Sequence, residues 1–231
     1  MESTAKRKKI IKGHIANGVV IHDPATTYVD SSVEIEAGAV LYPGAIIEGK
    51  SKIESGASVG PNSRIVDSII KNGASVQYSV VSDSAIGVGC EVGPFAYVRG
   101  GAVINEKCRI GFAVEVKNSS VGEKTKASHL AYIGDADVGS GVNFSCGAIT
   151  VNYDGKAKHR TKINDGAFVG CNSNLIAPVA VGERAFVAAG STVTVDVPPE
   201  ALAIARQRQD NKEGWRVKRD EPQREESNGD A

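Results

Sequence analysis

The 231-residue chain carries 27 basic and 27 acidic side chains, and its formal charge of zero excludes a dedicated nucleic-acid binder held by a basic surface. Hydrophobic residues make up 41 % and aromatics 5 %, which suits a long, thin core of aliphatic side chains better than a globular one filled with rings. The basic start Lys6-Arg7-Lys8-Lys9 is followed by no apolar signal core, and no stretch approaches membrane-spanning length, so a cytoplasmic protein with no membrane partner is expected.

Residues 1–28 form an N-terminal extension in which Ala5 to Ala16 predicts a short helix, ended near Asn17-Gly18. A β-helical domain is expected over 29–199. From Ile35 an aliphatic residue recurs at every sixth position as Leu41, Ile47, Ile53, Val59 and Ile65; the period returns from Ile86 to Val116 and again from Ile163 to Val193. Neither a helix nor a plain alternating strand has this period, whereas a hexapeptide parallel β-helix does: each hexad gives one short strand and one tight corner, and three hexads close a triangular coil. Val66 to Ala85 is Ser-rich and slips in register. The insertion Asn152 to Lys162 is too polar and basic for the interior and must project outward. Pro198-Pro199 reads as the end of the solenoid, because proline cannot donate to the ladder. A helix over Glu200 to Gln209, within a cap spanning 200–215, is expected to cover the last rung, and 216–231 has the composition of a disordered tail.

Coils stacked about 4.8 Å apart turn the register into a map of the surface. On one face the outward positions are Tyr97 and Arg99, then Glu115 and Lys117, then Tyr132 and Gly134, so two cations stack beside a carboxylate and two phenols. Like charges that close repel by roughly 1–4 kcal/mol, depending on the effective dielectric, and an anionic ligand is expected there. The corner leading into that face reads Phe112, His129, Cys146, Cys171 and Ala189, with Asn143 on the adjoining face. Above His129 this column holds small side chains for about 14 Å, room for a thin, extended ligand lying along the axis. The four cysteines show no Cys-x-x-Cys spacing and read as reduced.

Five ordered segments match a known family: Val114-Glu115-Val116-Lys117-Asn118-Ser119, His129-Leu130-Ala131-Tyr132-Ile133-Gly134-Asp135-Ala136, Val151-Asn152-Tyr153-Asp154-Gly155-Lys156, Ala201-Leu202-Ala203-Ile204-Ala205-Arg206 and Asn211-Lys212-Glu213-Gly214-Trp215. From Val92 to Trp215, and more weakly back to Gly18, the chain resembles the C-terminal left-handed β-helix domain of the bacterial bifunctional enzymes that acetylate glucosamine 1-phosphate and then uridylylate the product. The resemblance implies a left-handed helix, a homotrimer with sites between subunits, acetyl-CoA as cosubstrate and no metal. It makes His129 the general base. It assigns Arg99, Lys117, Tyr132, Asn143, Asn152, Tyr153 and Lys158 to the sugar phosphate, and Cys146, Cys171, Ala189 and Arg206 to acetyl-CoA. With no Gly-rich nucleotide loop opening the chain, uridyltransferase activity is not expected. The chain departs from the family's pattern at Gly100, Phe112, Cys146 and Cys171.

The chemistry suits these residue types. An amine attacks a thioester only as the free base, and a histidine with a reference pKa near 6.5 can accept its proton near neutral pH. Glu115, one rung below His129, is expected to stabilise the resulting imidazolium. Three alternatives stand beside this reading: acyl transfer to another amino sugar, a non-catalytic trimeric scaffold, and a zinc-dependent carbonic anhydrase on a similar helix. The last needs histidines on adjacent rungs, and His14, His22, His129 and His159 are not so placed.

Overall fold

The structure, a computed structural model, describes residues 4–216. Apart from Arg216, the tail read as disordered over 216–231 lies outside the described residues. The chain winds a left-handed parallel β-helix in which three parallel sheets of 11, 10 and 9 strands enclose one aliphatic core. We call them face 1, face 2 and face 3, in the order in which each coil meets them. Strands are short, and the hexad residue is the one turned inward: in Tyr97–Arg99 only Val98 is buried. On face 1, Val59 pairs with Val76, Val76 with Val92, and Val92 with Ile110, each aliphatic stacked on the one below. A fully buried Val, Leu or Ile contributes about 1.5–3 kcal/mol, so the column of rungs supplies the stability that aromatics supply elsewhere.

The corners need backbone in the left-handed region, which Asn, Asp and Gly tolerate best. Asn62, Asp67, Asp83, Asn118, Asp135 and Asn172 occupy such positions. The corner from face 1 to face 2 departs from that rule, with Tyr78, Phe95 and Leu130 at φ of 48°, 61° and 43°. A left-handed backbone costs a bulky residue about 1–2 kcal/mol, a cost also met at Lys107, Lys124, Arg184 and Glu200 in the corner from face 3 to face 1.

The Ser-rich stretch that slips in sequence is regular in space. Coils shorten there, pairing Ile65 with Val81 and Ile70 with Ile86. Ser51, Ser68 and Ser84 stack inside one corner, where the Ser68 amide donates to Ser51 Oγ at 3.2 Å and the Ser84 amide to Ser68 Oγ at 3.1 Å. The hydroxyls in turn donate to carbonyls of their own corner, so a buried polar column leaves no bond unmade.

Both ends differ from the sequence reading. The helix forms over Thr4–Ala16 with Ile11 buried beneath it. It stops where Gly18, at φ 87°, donates to Ile15 and Val19 donates to His14, a Schellman arrangement. The solenoid then begins at Val20–Ile21, which pairs with Val40–Leu41, so the first coil belongs to the domain placed at 29–199 although it lacks a clean hexad. At the other end no helix covers Glu200 to Gln209. Instead Leu202–Ala203 adds a strand to face 1, pairing with Phe186–Val187. The last full coil has amides that need acceptors, and an extended segment meets them: Phe186, Ala188 and Thr192 donate to Ala201, Ala203 and Ala205. Pro198 and Pro199 do not end the ladder because they sit in a corner, between Val197, which accepts from Gly182, and Glu200, which donates to Glu183.

Candidate functional site

Face 2 presents Tyr97, Glu115, Tyr132 and Ile149 in one outward column and Arg99, Lys117 and Gly134 in the next. The stacked cations expected from the register are therefore formed. Arg99 directs Nη2 and Nε at Glu115 Oε1, 2.6 and 2.8 Å away. Lys117 Nζ reaches Asp135 Oδ2 at 3.3 Å, at the corner from face 2 to face 3.

Asp135 is the hub of that corner, and sequence reasoning did not single it out. Its carboxylate also accepts from Asn118 Nδ2 at 2.5 Å and from Asn152 Nδ2. Burial pushes its carboxyl up, but the bonds from Asn118, Asn152 and Lys117 together outweigh burial and hold it below the usual carboxylate range. The available signal was the one-residue deletion in the hexad spacing between Ile133 and Val138, which leaves an Asp in the left-handed region at the corner, bonded to Asn152 of the insertion. Tyr132 reaches the same corner because Gly134 has no side chain: a Cβ on Gly134 would lie 2.3 Å from the Tyr132 hydroxyl. The ring lies over that glycine, and its hydroxyl accepts from Asn152 Nδ2 at 3.3 Å.

The insertion projects as expected and is ordered by its own bonds. Tyr153 and Lys158 form an antiparallel bridge, and Asp154 Oδ1 accepts from the amides of Lys156 and Ala157, both at 2.7 Å. The other oxygen of Asp154 meets His159 Nε2 at 2.7 Å. These bonds hold the Asp154 carboxyl far below its ordinary range, the Ala157 amide first and His159 next. Arg160 ties the base of the loop down by a two-point contact with Asp137 and by bonds to the Asn118 and Ala136 carbonyls. Lys158 thereby comes close to Lys117. Lys117 keeps its proton more firmly than usual, through its proximity to Lys158 first, which gives up its own proton more readily, and further through Asp135. Lys158 is pushed down by the same contact and by the Lys117 charge, with Arg99 adding to it. Two carboxylates thus serve three converging cations, and among the described residues Lys158 forms no ion pair of its own.

The opposite edge of face 2 carries the other expected group. His129 ends the strand Lys126–His129 and pairs with Phe112 below it. Phe112, His129, Cys146, Cys171 and Ala189 each precede a left-handed corner residue (Ala113, Leu130, Gly147, Asn172, Gly190), which sets them in one column. Asn172 donates to the Cys146 carbonyl and Gly190 to the Cys171 carbonyl, at 2.9 and 2.8 Å. At the top Arg206 leans over Gly190, its Cδ 3.6 Å from where a Cβ would stand. Below His129, Phe95 packs edge-on against Phe112 at 5.8 Å and on to Tyr78 at 6.0 Å, an exposed aromatic ridge on the same corner.

His129 precedes the face 2 strand, at the corner from face 1, and Asp135 follows it, at the corner to face 3, so the short strand Tyr132–Gly134 joins the two. The Glu115 carboxylate is bound to Arg99, and among the described residues no hydrogen bond joins it to His129. Asn143 lies on face 1, bonded to Ser145 Oγ at 2.9 Å, and Tyr153 turns its hydroxyl to the Gly155 carbonyl, so neither joins the cluster within one chain. Among the described residues no three His, Cys, Asp or Glu side chains converge as metal ligands, and no helix is long and apolar enough to cross a membrane.

Comparison with known proteins bears directly on this geometry. The profile of the GMPPB C-terminal domain family matches residues 25–130. The bifunctional protein GlmU of Geobacillus sp. (strain WCH70) is 56 % identical over 209 residues, 90 % of this chain and 46 % of that protein. GlmU of Brevibacillus brevis is 50 % identical over 206 residues, 89 % and 45 % of the two lengths. Among solved structures, a UDP-N-acetylglucosamine acyltransferase from Francisella novicida aligns with a TM-score of 0.53 at 20 % identity, covering 80 % of this chain and 67 % of that one, a likeness of fold. The chain spans about half the length of the curated relatives it matches. Over nine-tenths of its own length the chain is homologous to about half of the bifunctional GlmU proteins, consistent with their C-terminal acetyltransferase domain.

Proposed function

We propose that this chain transfers an acetyl group from acetyl-CoA to the amine of glucosamine 1-phosphate. The observation that carries the reading is the cluster in which Lys117 binds a buried Asp135, Lys158 lies close to both, and Arg99 is held by Glu115 on the coil below, leaving one cation in excess of the carboxylates. A phosphate supplies the missing charge, and charge-assisted bonds to it are among the strongest available to a surface site. Tyr132 and Asn152, already bonded to each other, offer the hydroxyl and amide that a sugar ring needs. His129 takes the ammonium proton and so frees the amine to attack the thioester carbonyl, and the CoA thiolate leaves with a proton returned to it. The column of Cys146, Cys171 and Ala189 with Arg206 above it takes the extended acyl donor. Glu115 holds Arg99 before the acceptor arrives and adds negative charge to the face on which the imidazolium forms.

On this reading the active assembly is a trimer. The exposed ridge of Tyr78, Phe95 and Phe112 supports a subunit contact at the His129 corner. The placement of Asn143 and Tyr153 away from the cation cluster supports a site that a neighbouring copy completes. The test is an end-point thiol-release assay with acetyl-CoA and a panel of glucosamine 1-phosphate, glucosamine 6-phosphate and glucosamine. The 1-phosphate is expected to give the fastest release; equal release with unphosphorylated glucosamine, or none with any of the three, overturns the proposal.

A further inference from the structure

The protein holds two stacked cysteine pairs whose surroundings are opposite. Cys90 and Cys108 are buried, and their thiols are spent on internal bonds, Cys90 Sγ to the Asn105 carbonyl at 2.8 Å and Cys108 Sγ to the Gly122 carbonyl at 3.0 Å. Cys146 is half-buried, Cys171 is exposed, and both are free thiols. They occupy equivalent corner positions on adjacent coils, before Gly147 and Asn172, and the bond from the Asn172 amide to the Cys146 carbonyl holds those coils together. Coil spacing sets their α-carbons about 4.8 Å apart, inside the disulfide window of roughly 4.4–6.8 Å. His129 lies one coil below, where Gly147 donates to the Leu130 carbonyl at 2.9 Å, so the two thiols share a corner with the group proposed as the base.

We propose that Cys146 and Cys171 are a redox-responsive thiol pair that reacts with a low-molecular-weight disulfide and, once joined, closes the corner to the acyl donor. The closing step rests on the reading of this column as the acyl-donor site; formation of the pair does not. The exposed Cys171 reacts first. Its thiolate attacks one sulfur of the small disulfide RSSR, forming Cys171–S–S–R and releasing RS⁻, which takes up the proton Cys171 gave up. The Cys146 thiolate then attacks the Cys171 sulfur, forming the Cys146–Cys171 bond and releasing the second RS⁻, protonated by the proton from Cys146. Two protein thiols are oxidised and one small disulfide is reduced to two thiols. The buried pair is excluded because RSSR cannot reach it.

The test incubates the full chain with glutathione disulfide, then counts free thiols, maps linked peptides and measures KM for both substrates. Expected is a linked Cys146–Cys171 peptide with Cys90 and Cys108 still free, reversed by dithiothreitol. The KM for acetyl-CoA should rise with the linked fraction, and more than that for the acceptor, whose phosphate is proposed to bind at the Asp135 corner. In Cys146→Ser the glutathione adduct should persist on Cys171. An adduct persisting on Cys171 in the wild type, or oxidation of Cys90 and Cys108 instead, overturns the pair. A linked peptide with unchanged KM values overturns the closing step alone. A chain that turns over no acetyl-CoA in either state overturns the acyl-donor reading, and with it the closing step, while the peptide map still decides the pair.

Discussion

Glu36 and Lys52, on the lower coils, meet at 2.9 Å with 44 % and 39 % of their side chains exposed. Lys117 and Asp135 meet at the longer distance of 3.3 Å, yet only 16 % and 6 % of their side chains remain exposed. Both pairs link adjacent coils of one scaffold, so repeat geometry alone does not separate them. Connection does. The lower pair stands among solvated neighbours, and exposed pairs of this kind contribute little. The upper one is held by Asn118 and Asn152 and pressed by Lys158, an arrangement whose charge, on the proposed function, a phosphate completes. On a solenoid, function is written in how far a charge is buried and shared rather than in its presence.

Substitutions at four positions sharpen the contrast, in falling order of effect. His129→Ala should lower turnover by roughly 10²- to 10⁴-fold and leave folding intact, because it removes a proton acceptor and no core contact. Turnover near that of the wild type would remove His129 from the reaction. Asp135→Ala should destabilise by roughly 1–3 kcal/mol and raise KM for the acceptor, since it strands bonded donors in a buried corner. The sign with pH follows from the depressed carboxyl: the stabilisation from Asp135 is complete above its unfolded pKa near 3.9 and is lost as pH falls through the lower folded value. An acid unfolding curve unchanged in Asp135→Asn would contradict this.

Lys158→Arg addresses the excess cation. Because Lys158 is pushed down, raising the pH should discharge it early and raise KM for the phosphorylated acceptor, whereas the guanidinium stays charged and should flatten that alkaline rise. Superimposable pH profiles would show that Lys158 does not meet the phosphate. Glu36→Ala, on the lower coils, should change neither the melting temperature nor either KM measurably; a loss comparable to that of Asp135→Ala would erase the distinction drawn above.

Much of the site was legible because a period of six fixes which residues stack. Lys117 over Arg99 and His129 over Phe112 follow from counting, and the structure keeps both. What counting misses is everything set by corners. Asp135 sits between two faces, so a map of outward strand positions passes over it. A vertical register also gives neighbours above and below but not the diagonal reach of an arginine, so the bond from Arg99 to Glu115 is not legible in it. At the C-terminus, Ala-Leu-Ala-Ile-Ala suggests a helix by propensity, yet the open amides of the last coil override that preference.

The central claim is that the Asp135 corner reads a phosphate, and it is tested most directly by one double comparison. The kcat/KM of wild type and Lys117→Met is measured with acetyl-CoA and either glucosamine 1-phosphate or unphosphorylated glucosamine. The account predicts a large loss for the phosphorylated acceptor and almost none for glucosamine, since the missing ammonium has no partner there. An equal loss with both acceptors would show that Lys117 supports the fold of the corner and not the recognition of phosphate.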